Sequence, residues 1–187
     1  MKIDLSLEIK VANGVYNPAE DSYLLIKAVK VNGKEKALDM GCGCGIVAMH
    51  LAKNGCSVTA CDVNESAVKN SKINAERNGL KIRCIKSNLF ENIDEKFDLI
   101  VFNPPYLPTK NEDISWDGGR EGIEIIENFL KDAKNYLNEE GRIYLVSSSL
   151  SNFKKIIEEF RHIYKFEKVA EENHFFEKLF VYKITNL

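Results

Sequence analysis

The chain has 187 residues, with 26 basic side chains against 28 acidic ones and a formal net charge of −2. Hydrophobic residues make up 44% and charged residues 29%, which suits a single folded domain over residues 1–187 with a real core and excludes intrinsic disorder. The near-neutral balance argues against a protein that works mainly by gripping phosphates, and no apolar run approaches the roughly 18 residues that span a bilayer.

The opening MKIDLSLEIK alternates polar and apolar residues and has no signal-peptide core, so the expected location is cytoplasmic, away from membranes. Residues 18–29 are predicted as a first helix, with Pro18 near its start and Leu24, Leu25 and Ala28 on one face. Residues 36–40 form a short apolar strand that runs into a glycine-rich turn, and residues 46–53 a helix. A second strand over 57–61 ends in Asp62; Asn64 caps a helix that Gly79 terminates. Strands are predicted over 82–86 and 97–102, a long helix over 122–137, a strand over 141–146 and a helix over 150–160. Two last strands, 166–171 and 176–184, break the alternation. The expected fold is therefore α/β: a mostly parallel seven-stranded sheet, helices on both faces, closed by a C-terminal antiparallel hairpin.

The first strand delivers Asp39-Met40-Gly41-Cys42-Gly43-Cys44-Gly45 ahead of a helix. Glycines there allow a sharp turn and close approach of a ligand to backbone, and the helix start offers free N–H groups. Asp62 lies 23 residues beyond Asp39 (62 − 39), at the tip of the next strand, where a carboxylate can accept both ribose hydroxyls of a nucleoside. The spacing is not the G-x-G-x-x-G of dinucleotide sites, because Ile46 follows Gly45. Asp39 would repel a pyrophosphate but suits a positive amino group. Cys42 and Cys44 have no second Cys or His pair at zinc spacing, so no metal site is expected, and five cysteines make no disulfide framework. The turn resembles the D/E-x-G-x-G-x-G motif of S-adenosylmethionine-dependent methyltransferases.

The fourth strand ends in Asn103-Pro104-Pro105-Tyr106. Two prolines stiffen the backbone and remove its donors, leaving carbonyls and the Asn103 side-chain oxygen as acceptors. That combination fits a planar NH₂ group: Asn103 and the Pro104 carbonyl each take one N–H while Tyr106 lies on the plane. An amide or exocyclic amine nitrogen needs such orientation because its lone pair is delocalised.

Val15-Tyr16-Asn17-Pro18-Ala19-Glu20-Asp21-Ser22, the glycine turn, Asp62, Asn103 to Tyr106, and Trp116-Asp117-Gly118-Gly119-Arg120-Glu121-Gly122 follow one another in the chain. In this order they resemble the HemK-type N5-glutamine methyltransferases of peptide-chain release factors, in their short archaeal and eukaryotic branch. The resemblance implies a Rossmann-like class I methyltransferase fold, S-adenosylmethionine as cofactor and the glutamine of a Gly-Gly-Gln loop as substrate. It implies that Ser22, Asp39, Gly41, Gly43 and Asp62 hold the cofactor, with Asn88, Leu89 and Asn103 completing its pocket. Asn103, Pro104, Pro105 and Tyr106 would carry the chemistry, and Arg120 would shape the substrate loop. Family members usually have Asp where Asn88 stands. It also implies a partner, a small zinc-binding activator protein adding a strand beside residues 82–86. The alternatives are a nucleic-acid amine methyltransferase acting on adenine or guanine, and a non-catalytic scaffold of the same fold. The resemblance also implies that Glu20 and Asp21 lie near the cofactor; from the sequence alone they read as first-turn acids favoured by the helix dipole, and no role is expected for His50, His162 or His174.

Overall fold

The computed structural model describes residues 1–106 and 123–187. In chain order the elements are α1 (Glu20–Ala28), β1 (Lys36–Met40), α2 (Ile46–Lys53), β2 (Ser57–Asp62), α3 (Glu65–Arg77), β3 (Ile82–Lys86) and β4 (Phe97–Phe102). Then come α4 (Glu124–Ala133), a 3₁₀ turn (Lys134–Tyr136), β5 (Leu137–Ser148), α5 (Phe153–Phe160), β6 (Tyr164–Asn173) and β7 (Lys178–Asn186). The seven strands form one sheet in the order β3-β2-β1-β4-β5-β7-β6. β1 to β5 run parallel, while β7 is antiparallel to both β5 and β6.

Side chains alternate across the central strands, and each face meets its own helices. Ala37, Leu99 and Val101 join Leu25 and Ile26 of α1 and Val47 and Leu51 of α2 in one core. Leu38, Ile100 and Phe102 point the other way, into a second core with Ile126 and Phe129 of α4 and Ile156 and Phe160 of α5. The order reverses between β1 and β4, and the carboxyl ends of these two strands flank the crevice where open α/β sheets bind ligands.

The cap on α3 forms as its sequence suggests: the Asn64 side chain accepts from the Ser66 N–H at 2.9 Å, and Gly79 closes the helix at φ 64°. Other boundaries differ. β5 starts four residues before Gly141, because the register against β4 shifts between Phe97 and Leu99 and lets Leu137 pair as well. The preceding helix gives way to the 3₁₀ turn after Ala133, where the Tyr164 hydroxyl accepts from the Lys134 N–H and donates to the Leu130 carbonyl, and its expected first residue, Gly122, lies outside the described residues. α5 starts at Phe153 rather than at Leu150 because Ser148 and Ser149 are held against the β6–β7 hairpin.

Residues 8–12 lie along α3. Asn70, Asn74 and Asn78 sit one turn apart and accept from the N–H groups of Ala12, Lys10 and Glu8 at 2.8, 3.1 and 2.9 Å. Their amides donate back, Asn70 and Asn74 to the Lys10 carbonyl and Asn78 to that of Glu8. His50, buried on α2, accepts from the Asp4 N–H through Nε2 while Nδ1 lies 2.8 Å from the Ile46 carbonyl. This pairing requires neutral imidazole with the proton on Nδ1, and burial lowers its pKa accordingly.

Candidate active site

The glycine turn is built by close approach. The Cys42 N–H donates to the Cys61 carbonyl at 2.9 Å, tying the turn to the end of β2. Gly45 caps α2 at φ 85°, and a Cβ there would lie 2.4 Å from Ser71 Oγ and 3.1 Å from Ser71 Cα. Both the dihedral and the contact with α3 therefore demand glycine. The Asn74 amide donates to the Cys44 carbonyl at 2.9 Å and fixes the other flank. Cys42 and Cys44 are buried, and burial pushes the Cys44 thiol up to about 11.

Two carboxylates bracket this turn. Asp39, 3% exposed, accepts from the Ala48 N–H in the first turn of α2 at 2.9 Å. Among the described residues it has no cationic partner. Burial raises its pKa to about 8, the Ala48 hydrogen bond opposes this, and the charge of Asp62 adds to it. Asp62 accepts from the Gly43 N–H at 3.0 Å and the Asn64 N–H at 2.9 Å, one on each oxygen. Burial raises its pKa too, against those bonds.

The opposite wall is the Asn103–Tyr106 corner, and Asp21 organises it. Tyr16 donates its phenol to Asp21 at 2.8 Å, and Tyr106 donates at 3.1 Å. Both the Ser22 N–H and the Ser22 hydroxyl also donate to Asp21. The Asn103 amide nitrogen in turn donates to Ser22 Oγ at 3.4 Å. Burial and the nearby Asp21 charge push both phenols up, so they stay protonated donors. With its nitrogen directed to Ser22, Asn103 presents Oδ1, which is buried and has no hydrogen-bond partner among the described residues. A buried acceptor left unmade costs about 1–3 kcal/mol, so this oxygen points to a ligand N–H.

A third wall follows β3. The Asn88 amide nitrogen donates to Glu91 at 2.9 Å, so the oxygen is the atom offered to a ligand. Leu89 adopts φ 48°, uncommon for a residue with a Cβ. Ser87 Oγ holds that turn, donating to the Leu89 carbonyl at 2.8 Å and accepting from the Asn92 N–H at 3.0 Å. Behind it, Phe90 stacks on Tyr136 with centroids 4.3 Å apart.

Together these walls enclose a cleft of about 730 Å³ lined by Ser22, Asp39, Gly41, Gly43 and Asp62, by Asn88 and Leu89, and by Asn103, Pro104, Pro105 and Tyr106. Every residue singled out in the sequence for cofactor or chemistry, Arg120 and Glu20 apart, lines this one space. Arg120 and its neighbours Trp116 to Gly122 lie outside the described residues. Asp21, which the resemblance places near the cofactor, lines the cleft, and so does Tyr16, to which the sequence assigns no role; Glu20 does not. The donor set fits S-adenosylmethionine: an uncompensated buried carboxylate for an ammonium, a second for ribose hydroxyls, an amide oxygen and an aliphatic wall for a base.

Residues 7–177 match the family of the methyltransferase small domain. A provisionally named protein N5-glutamine methyltransferase of Methanocaldococcus jannaschii is 38% identical over 185 residues, covering 94% of this chain and 93% of that one. The release factor glutamine methyltransferase of Streptococcus pneumoniae is 32% identical, over 74% of this chain and 56% of its own length. The ribosomal RNA small subunit methyltransferase C of Salmonella newport is 30% identical, over 82% of this chain and 44% of its own. The chain thus spans about half of each bacterial relative and nearly all of the archaeal one. Among solved structures, the Mtq2–Trm112 complex of E. cuniculi, described as responsible for methylating the eRF1 translation termination factor, matches with a TM-score of 0.76 at 24% identity. That match covers 92% of this chain and 99% of the other, and at this identity it speaks to the fold alone.

Proposed function

Because the chain belongs to the methyltransferase small domain family, and within it to the protein N5-glutamine methyltransferases, we propose that it methylates the side-chain amide nitrogen of the glutamine in the Gly-Gly-Gln loop of a peptide-chain release factor. The observation that carries this reading is the buried, unpartnered Asn103 Oδ1 beside a proline-fixed turn. S-adenosylmethionine supplies an activated methyl group on a sulfonium that leaves as a neutral thioether.

The chain's own residues then have to hold and orient. Asp39 takes the cofactor's ammonium, Asp62 its ribose hydroxyls, and the Gly41 and Gly43 backbone lets the ligand lie close. Ser22 borders the same space, and Asn88 and Leu89 receive the base. On the substrate side, Asn103 Oδ1 and the Pro104 carbonyl accept the two amide N–H groups. Fixing both hydrogens orients the nitrogen toward the methyl carbon and favours the less planar nitrogen of the transition state. Pro105 keeps the corner stiff, and Tyr106, anchored on Asp21, packs on the amide plane. Tyr16 and Asp21 act as positioning residues.

A small zinc-binding activator at β3 belongs to the same proposal. Among the described residues β3 has a strand on one side only, so its outer backbone edge is open to strand addition. Arg83 turns to Asp94 and Glu95, and Lys86 to Glu65, which leaves these charges partly neutralised along the edge. A cytoplasmic location goes with a translation-factor substrate; no helix among the described residues is long and apolar enough to cross a membrane.

A nucleic-acid amine substrate is the second reading, favoured by the likeness to a ribosomal RNA methyltransferase. Its substrate presents the same planar NH₂, so the corner serves either. The −2 charge favours protein. The test of the corner is Asn103→Ala. Methyl transfer should fall by about two to three orders of magnitude, as for a lost transition-state partner, with cofactor affinity by calorimetry within about threefold, because other residues hold the cofactor. Normal turnover in this variant would contradict the assignment.

A further inference from the structure

The hairpin joining β6 to β7 ends in His174-Phe175-Phe176-Glu177. The His174 N–H donates to the Glu177 carbonyl at 2.8 Å and closes the tip. Phe175 is 92% exposed and Phe176 85%, and their rings meet edge to face with centroids 4.6 Å apart. Two phenyl rings held in water against each other gain little from the fold. They form a raised apolar knob of the kind that gains when a partner covers it.

The place of the knob matters. β7 starts where β5 ends, and the two are stitched at this point. The Ser149 N–H donates to the Lys178 carbonyl at 2.8 Å, the Lys178 N–H donates to Ser149 Oγ at 2.9 Å, and Ser148 Oγ donates to Glu177 at 2.7 Å. β5 runs parallel to β4 with Leu145 opposite Phe102, so its carboxyl end lies beside the Asn103–Tyr106 corner. Glu177 is near enough for its charge to be felt at the Tyr106 phenol. Leu150, 48% exposed in the turn after β5, adds apolar surface at the same edge.

We propose that the Phe175–Phe176 tip is a docking knob for the protein substrate, gripping its body while the glutamine loop enters the cleft; this rests on the release-factor reading above. The occupant is a folded protein surface with an apolar recess flanked by lysine or arginine. Charge selects it: Glu172 and Glu177 flank the two rings in the chain, Glu172 in contact with His174 and Glu177 accepting from the Ser148 hydroxyl, while Lys168 and Lys178 are held by Glu171. Carboxylates around an aromatic tip repel phosphates, so a nucleic acid stacking on the rings is disfavoured.

The test compares the wild-type chain, the double variant Phe175→Ala/Phe176→Ala and the conservative pair Phe175→Leu/Phe176→Leu. For each, the Kd for purified release factor and the Kd for S-adenosylmethionine are measured by calorimetry, with thermal melting as the folding control. The alanine pair should weaken release-factor binding about tenfold or more, as loss of an aromatic anchor does, with cofactor Kd and melting temperature unchanged. The leucine pair should recover most of the loss. Unchanged release-factor binding in the alanine pair would overturn the knob and leave the release-factor reading standing. A cofactor Kd that shifts in parallel would also overturn it, by placing the effect in the cleft. So would sedimentation showing that the rings join two copies of the chain. If the wild-type chain binds no release factor and labels only nucleic acid, the release-factor reading fails first and the knob falls with it.

Discussion

Asp39 is held by the fold far from the ordinary behaviour of a carboxyl. Burial raises its carboxyl to about 8, against about 3.9 in an unfolded chain. Between those values the folded protein holds a proton that the unfolded chain has lost. The stability contributed by this group is therefore full below about pH 4 and is lost as pH rises through about 8. Asp39→Asn should raise the melting temperature of the cofactor-free protein at pH 8 and leave it nearly unchanged at pH 4. The same change should weaken S-adenosylmethionine binding by about tenfold or more, since the proposed charge-assisted partner of the ammonium is lost. Melts at the two pH values, with calorimetry alongside, check both halves. Equal melting shifts at both pH values would contradict the burial argument. At this scale the glycine turn, Asp62 and the Asn-Pro-Pro-Tyr corner are legible in the sequence because each is a local motif. Asp21 is not. Its carboxylate gathers Tyr16, Ser22 and Tyr106 from two separate segments, whereas the sequence around it offers only an acid in a first helical turn and the resemblance only a place near the cofactor.

At the scale of elements, the strands of the central sheet are short apolar runs between turn signals, and β1, α2, β3 and β4 lie where periodicity puts them. β5 does not start at the glycine, because pairing with β4 extends it, and pairing partners are not encoded locally. The asparagine ladder illustrates the same limit. Asn70, Asn74 and Asn78 recur every fourth residue in plain view, but their partners are backbone groups of residues 8–12. Asn74 is the centre of this ladder: fully buried, it bonds both Lys10 backbone groups and the Cys44 carbonyl. Asn74→Ala should destabilise the fold by about 2 kcal/mol, as the Lys10 N–H and the Cys44 carbonyl lose their partner while the Lys10 carbonyl keeps the Asn70 amide. Asn78→Ala, at the more exposed end, should cost about 1 kcal/mol. Urea denaturation of both variants measures the difference, and equal, small losses would show that the N-terminal segment is held by other contacts.

For the molecule as a whole, the strand order brings the turn after β1, the tip of β2, the turn after β3 and the end of β4 to one edge of the sheet. Four stretches of sequence that share nothing locally thereby become four walls of one cleft, which α1 completes from the side. The same order leaves β3 with one neighbour, where the activator is proposed to add a strand. The class of fold was legible from alternation and motif order. The hairpin's exposed Phe pair was not, because a run such as His-Phe-Phe-Glu between two apolar strands looks like core until burial is known. The most direct measurement is transfer of labelled methyl from S-adenosylmethionine to purified release factor, beside tRNA, ribosomal RNA and duplex DNA, with and without the proposed zinc-binding activator. Label is expected on the Gly-Gly-Gln glutamine, raised by the proposed activator, and none on nucleic acid. Label on nucleic acid with an unmodified release factor would contradict the release-factor reading.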